Sequence, residues 1–140
     1  MTRPVNGRTS WRAALGVTAL ALVSAGCVRG YPRPTGQPSE VTLASVAVRP
    51  ADFEDRYVSV LGTLTGETAR ACEYQTVGLV VATPEPSIVY LIACLDMPSA
   101  QSVRAMPQGT RLRLDGTVRV FATQFGNRAL LYATNIQRMN

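Results

Sequence analysis

A chain of 140 residues with 46% hydrophobic and 16% charged side chains has room for one domain, and its charged share, below the roughly 25% of ordinary soluble domains, excludes a disordered polyelectrolyte. The formal charge of +5 would suit an acidic partner, yet Arg3, Arg8 and Arg12 crowd the first twelve positions, and without them eleven basic residues face nine acidic ones, a balance of +2. So small an excess argues against nucleic acid, and the absence of histidine removes the commonest general base.

Residues 1–26 read as a targeting segment: a basic start without acidic residues, an apolar run from Ala13 to Ala25, and small residues ahead of Cys27. The run falls well short of the ~20 residues of a spanning helix. The stretch Val23-Ser24-Ala25-Gly26-Cys27 resembles the lipobox of bacterial lipoproteins, with Ser24 standing where that family prefers Leu. The resemblance implies cleavage before Cys27 and acyl chains, palmitate among them, on Cys27. Its membrane partner would then be a bilayer of the cell envelope, with the domain on the extracytoplasmic side. Each buried methylene gains about 0.8 kcal/mol, so several chains together hold a small domain at a bilayer. Val28 stands where lipoproteins kept on an inner membrane often have Asp, which by the same resemblance implies the outer membrane, facing the periplasm, if the cell has one. Residues 27–40 hold Pro32, Pro34 and Pro38 with Gly30 and Gly36, a composition that predicts a flexible tether. Residues 41–140 form the predicted domain.

Val41 and Leu43 would suit the start of a strand, but Leu43, Val46 and Ala47 fit a short amphipathic helix that Thr42 can cap and Pro50 must stop. A turn through Asp55 leads into a strand over 57–65. After a polar loop containing Cys72, two β-branched runs over 76–82 and 88–95 form a hairpin across the proline-stiffened stretch 83–87. Both faces of this hairpin are apolar, with Leu79, Val81, Leu91 and Ala93 on one side and Val80, Ala82, Tyr90 and Ile92 on the other. A sheet with one wet face does not look like this, so the outer face is covered by the N-terminal helix or offered to a ligand. Residues 97–106 suit a short helix ended by Pro107 and Gly109, 110–122 a second long strand, Gly126-Asn127 a two-residue hairpin turn, and 128–136 a last strand.

The two long strands are versions of one another: aligned without a gap, Val58, Val60 and Leu64 match Leu112, Leu114 and Val118, and Gly62-Thr63 matches Gly116-Thr117. The order strand, strand, strand, short helix, strand, strand, with glycine-bent strands first and fourth, resembles the OB-fold, a five-stranded Greek-key barrel. The run Pro50-Ala51-Asp52-Phe53 followed by Val58-Ser59-Val60-Leu61-Gly62 is similar to small bacterial OB-type proteins. The expected class is therefore all-β with one or two short helices, and Gly62 and Gly116 are expected to be the structural bends that close the barrel.

Cys94, at the end of the third strand, falls close to Cys72, and in an exported chain the pair is expected to form a disulfide. Two thiolates without histidine make a poor zinc site, so no metal is expected, and no motif calls for a cofactor. The only clustered carboxylates, Asp52, Glu54 and Asp55, lie in a surface turn, and neither a phosphate loop nor a nucleophile elbow is present. The chain is therefore expected not to be an enzyme. Arg111, Arg113, Arg119 and Phe121 share one face of the fourth strand and, with Tyr90 on the hairpin, are the candidate binding residues; a solvated arginine face is the plain account of them. Oligonucleotide or oligosaccharide is the ligand class an OB-fold suggests, but the hairpin offers only Tyr90 and no arginine, and export separates the domain from nucleic acid, which is set aside as a partner. The expected role is a membrane-tethered binding or scaffolding module with an envelope protein or glycan as partner.

Overall fold

The computed structural model describes residues 34–83 and 87–140. The targeting segment, Cys27, the first half of the expected tether and the tip of the 83–87 hairpin lie outside the described residues. In chain order the elements are β1 (Ser39–Glu40), α1 (Leu43–Val48), a 3-10 turn (Pro50–Phe53), β2 (Tyr57–Ala69), β3 (Val77–Ala82), β4 (Tyr90–Leu95), α2 (Met97–Arg104), β5 (Arg111–Thr123) and β6 (Gly126–Arg138).

Alternation builds the walls. β2 sends Val58, Val60 and Leu64 inward and β5 sends Leu112, Leu114 and Val118 inward, while Tyr57, Leu61, Arg111 and Arg113 point out. β2, β3, β4, β6 and β5 follow one another around a ring that the β2–β5 pairing closes. Neighbours in the ring are antiparallel except β4 and β6, which run parallel. This is the Greek-key order of the OB-fold, with α2 between the third and fourth barrel strands, as expected.

Thr42 caps α1 through its Oγ1, which accepts the Ser45 N–H at 3.1 Å, so the helix wins over a strand at this point. Asp96 caps α2 by accepting the Ser99 N–H at 2.8 Å, and Pro98 sits in the first turn, where no intrahelical donor is lost. Leu43 and Val46 of α1 and Ala100 and Val103 of α2 belong to the same buried cluster as the inward strand residues. A side chain from outside a closed barrel reaches its interior only through an opening, so each helix stoppers one. α1 is therefore not the cover of the hairpin's outer face.

Three local expectations change. The end of the expected tether is not free: Ser39 and Glu40 pair parallel with Val58 and Ser59 of β2, and the Glu40 carboxylate lies 3.4 Å from Arg113. The two glycines are not equivalent bends. Gly62 precedes the point, Thr63, where β2 exchanges β5 for β3 as its neighbour, but the break in register comes later, between Leu64 and Thr68, around Gly66 with φ +84°. Gly116 lies beside a bulge of β6, where Asp115 faces Asn135, Gly116 faces Ala133, and Thr134 is the extra residue. Lastly, the β5–β6 connection is Gln124-Phe125, not Gly126-Asn127, because Thr123 Oγ1 accepts the Phe125 N–H at 3.2 Å and donates to the Gly126 carbonyl at 2.7 Å. That shift places Phe125 at the tip.

Candidate functional site

Register places the outer side chains of four strands in rows. Ala82 of β3 pairs with Tyr90 of β4, and Phe121 of β5 pairs with Arg128 of β6. Since Ile92 pairs with Leu130, Tyr90 and Arg128, each two residues earlier on parallel strands, stand side by side. The first row therefore reads Ala82, Tyr90, Arg128, Phe121. The second reads Val80, Ile92, Leu130, Arg119, and the third Gly78, Cys94, Tyr132, Thr117. Successive rows lie ~6.6–6.8 Å apart, two residues along a strand.

The third row is covered, and with it Leu130 of the second. Cys72 and Cys94 form a disulfide with Cα atoms 5.7 Å apart, as the sequence suggests, and it fastens residues 70–76 across the sheet. Under this strap Cys94, Leu130 and Tyr132 form a small buried cluster of their own, with Ala71, Cys72, Ile92 and Phe121 packed against it. The Glu73 N–H donates to the Tyr132 hydroxyl at 3.1 Å, and the Tyr74 ring meets that of Tyr132 edge-on at 5.5 Å. Burial pushes the Tyr132 hydroxyl above its ordinary pKa, with the Glu73 N–H pulling the other way, so it stays protonated at neutral pH. Gly78 lets the strap lie this low, because a Cβ there would stand 3.1 Å from Cys72 Sγ and 2.4 Å from the Ala69 carbonyl oxygen. The strap turns through Tyr74 and Gln75, both left-handed at φ 58° and 57°, a conformation that costs a non-glycine residue about 1 kcal/mol or more each. Packing and the disulfide hold it there.

The first row is open. Tyr90 is 56% exposed, Arg128 is exposed with no ion pair among the described residues, and Phe125, one step beyond on the connecting turn, is 81% exposed. The row makes a platform in which one positive charge, Arg128, stands between the strand positions of Tyr90 and Phe121. Flat π-systems stack on such rings, and an anionic group can reach the guanidinium.

Of the residues the sequence singles out, the structure joins Tyr90 and Phe121 in one row. Arg119 stands in the next, with its guanidinium bound to Asp55. Arg113 is occupied by Glu40, by Ser59 at 2.9 Å and by Asp115 at 3.6 Å, and Arg111 lies at the far end of β5, beside Thr63. The arginine stripe therefore divides between two sides of the barrel, and two of its three members serve the fold. Arg128 is the residue missed. Its position beside Tyr90 depends on the parallel β4–β6 pairing, which no local period of the sequence announces. Among the described residues no three of His, Cys, Asp or Glu converge on a metal-sized site.

No protein-family model matches the chain, and no curated protein matches it either. Solved structures do share the fold. Asparaginyl-tRNA synthetase from Pyrococcus horikoshii superimposes with a TM-score of 0.52 at 11% identity, over 74% of this chain and 23% of that one. A putative aspartyl-tRNA synthetase from Leishmania major Friedlin gives 0.51 at 12% identity, over 86% and 25%. The chain thus spans about a quarter of the length of these two enzymes. A small single-stranded DNA-binding protein from Streptomyces coelicolor gives 0.44 at 12% identity, over 61% of this chain and 94% of its own. The exclusion of nucleic acid as a partner does not survive. One of its grounds, the arginine missing from the hairpin, is met by Arg128 of β6, and the fold is shared with two tRNA synthetases. The barrel is an OB-fold.

Proposed function

We propose that this OB barrel is a binding module that takes a short stretch of single-stranded nucleic acid across β4, β6 and β5, while held at a membrane surface through a lipidated Cys27. One observation carries the ligand: the row Tyr90, Arg128, Phe121, with Tyr90 and Arg128 exposed and Phe121 half-buried, extended by the exposed Phe125. Bases stack on aromatic side chains whatever their sequence, and the guanidinium neutralises a phosphate between two stacked bases. The solved structures that share the fold support the same class of ligand. The lipobox-like Val23-Ser24-Ala25-Gly26-Cys27 supports the anchor, and the nucleic acid in question is then DNA or RNA outside the cytoplasm. With a charge of only +2 beyond the N-terminal segment, stacking contributes more than long-range attraction.

Fluorescence anisotropy with a labelled oligo-deoxythymidylate tests the reading. Tyr90→Ala lowers affinity by about tenfold, the loss of one stacked base. Arg128→Ala lowers it about fivefold and reduces the slope of log K against log salt by about 0.7, the share of one single-strand phosphate. Arg111→Ala, on the other side of the barrel, changes neither. Equal binding by the wild type and Tyr90→Ala would remove the platform from the account.

A further inference from the structure

The strap over residues 70–76 lies across the continuation of the proposed platform, and the ligand reading above is the ground on which its role rests. With the strap in place row one holds the open positions, while Leu130 of row two and Cys94 and Tyr132 of row three are buried beneath it. Three attachments hold it: the Cys72–Cys94 disulfide, the Glu73 N–H on the Tyr132 hydroxyl, and the edge-on Tyr74 ring. Against them stand two consecutive left-handed non-glycine residues, Tyr74 and Gln75, a turn that relaxes when it is no longer held.

We infer that the Cys72–Cys94 disulfide sets the length of nucleic acid the barrel can hold, short when oxidised and longer when reduced. Reduction needs a dithiol. One of its thiolates attacks the half-buried Cys72 sulfur, and Cys94, buried under the strap, leaves as a thiolate that takes a proton. The second thiol of the reductant then displaces Cys72 from the mixed disulfide, and the reductant departs as its own disulfide, two electrons and two protons having passed to the protein. The strap can then swing from its two ends, at Ala69 and Val77, and the Tyr132 ring joins Tyr90 and Phe121 on one continuous face. Row three is in line with rows one and two on the same strands, which is why the occupant is the same extended chain rather than a different ligand. Each further base that reaches a ring adds about tenfold in affinity, so the gain appears with oligonucleotides long enough to pass row one and not with shorter ones.

The test uses the full chain, labelled oligo-deoxythymidylates of four and twelve nucleotides, and two independent ways of opening the strap. One is dithiothreitol on the wild type, the other the double variant Cys72→Ser, Cys94→Ser. Amide exchange at Glu73 and tryptic cleavage after Arg70 report release of the strap without reference to any ligand. The expected result is faster exchange at Glu73, an unchanged dissociation constant for the short oligonucleotide, and about tenfold tighter binding of the long one. Tyr132→Ala in the reduced protein abolishes that gain while leaving the short oligonucleotide unaffected. A strap that stays protected after reduction overturns the inference, and so does a released strap with no change for the long oligonucleotide. Dimerisation on reduction without a gain in binding would give the uncovered face to a second copy and overturn it likewise. Absence of binding in both redox states, with the strap released, overturns the ligand reading itself and this inference with it.

Discussion

Gly116 and Gly62 occupy matching places in two similar strands and meet different neighbours. A Cβ on Gly116 would lie 2.4 Å from the Tyr132 carbonyl oxygen and 2.8 Å from Ala133 Cα, backbone atoms fixed by the β5–β6 ladder and its bulge. A Cβ on Gly62 would lie 3.0 Å from Leu43 Cδ1 and 3.3 Å from Val81 Cβ, the first of them the end of a side chain that can rotate away. Gly116→Ala is therefore expected to cost about 2–3 kcal/mol, as overpacking against an unyielding backbone does, and Gly62→Ala less than about 1 kcal/mol, both read from urea denaturation. Equal losses would mean that conformational freedom, common to both, outweighs the local contact. The repeat itself was legible because alternation and glycine are local signals. Which of the two glycines is indispensable was not, since the carbonyl that would meet Gly116 belongs to β6, some sixteen residues away in sequence. The same limit hid Arg128, whose neighbours Tyr90 and Phe121 come from two other strands.

Among the elements, the strap shows how a segment without regular structure is placed. Its residues contribute nothing to the barrel's interior cluster, and the side chains it covers form a cluster apart. The disulfide closes a loop of sequence separation 22, so in the chain-entropy account Cys72→Ser with Cys94→Ser lowers unfolding stability by about 3 kcal/mol. The far-ultraviolet spectrum of the barrel should persist, because none of the five wall strands owes its pairing to the strap. A loss well below about 1 kcal/mol would show that the reduced chain keeps the strap ordered in its unfolded ensemble or that the held turn at Tyr74 and Gln75 offsets the gain. Both helices could be read from the sequence, because the cap at Thr42 and stops such as Pro50 and Pro107 act within a few residues, and the disulfide because one hairpin brings Cys94 back toward Cys72. What covers the outer face of β4 and β6 could not. The apolar pattern demanded a cover, and whether α1 or the strap provides it depended on which opening of the barrel received Leu43 and Val46.

At the scale of the whole molecule, the entry point of the chain and the proposed platform lie on different sides. β1 joins β2 next to its seam with β5, and in a ring of five strands β4, which carries Tyr90, stands across from that seam. The chain thus enters the barrel at β1, behind the proposed platform. The dozen residues from Cys27 to Pro38 reach ~40 Å when extended, at ~3.3–3.6 Å each, against a radius of gyration of ~13 Å for a domain of ~100 residues. Under the proposed anchor, the barrel can stand clear of the bilayer with Tyr90, Arg128 and Phe125 turned to the aqueous side. Protein extracted from membranes is then expected to begin at Cys27 with the mass of acyl chains added, and Cys27→Ser to lose its membrane association. Anchored on vesicles, the wild type should bind a short oligonucleotide with the dissociation constant of its detergent-released form to within about twofold. A mature chain that still begins near Met1 with an unmodified Cys27 would defeat the anchor. A tenfold loss of affinity on vesicles would keep the anchor and turn the platform toward the lipid, where exposed Ile88, Tyr90 and Phe125 would be resting in the interface rather than waiting for a base.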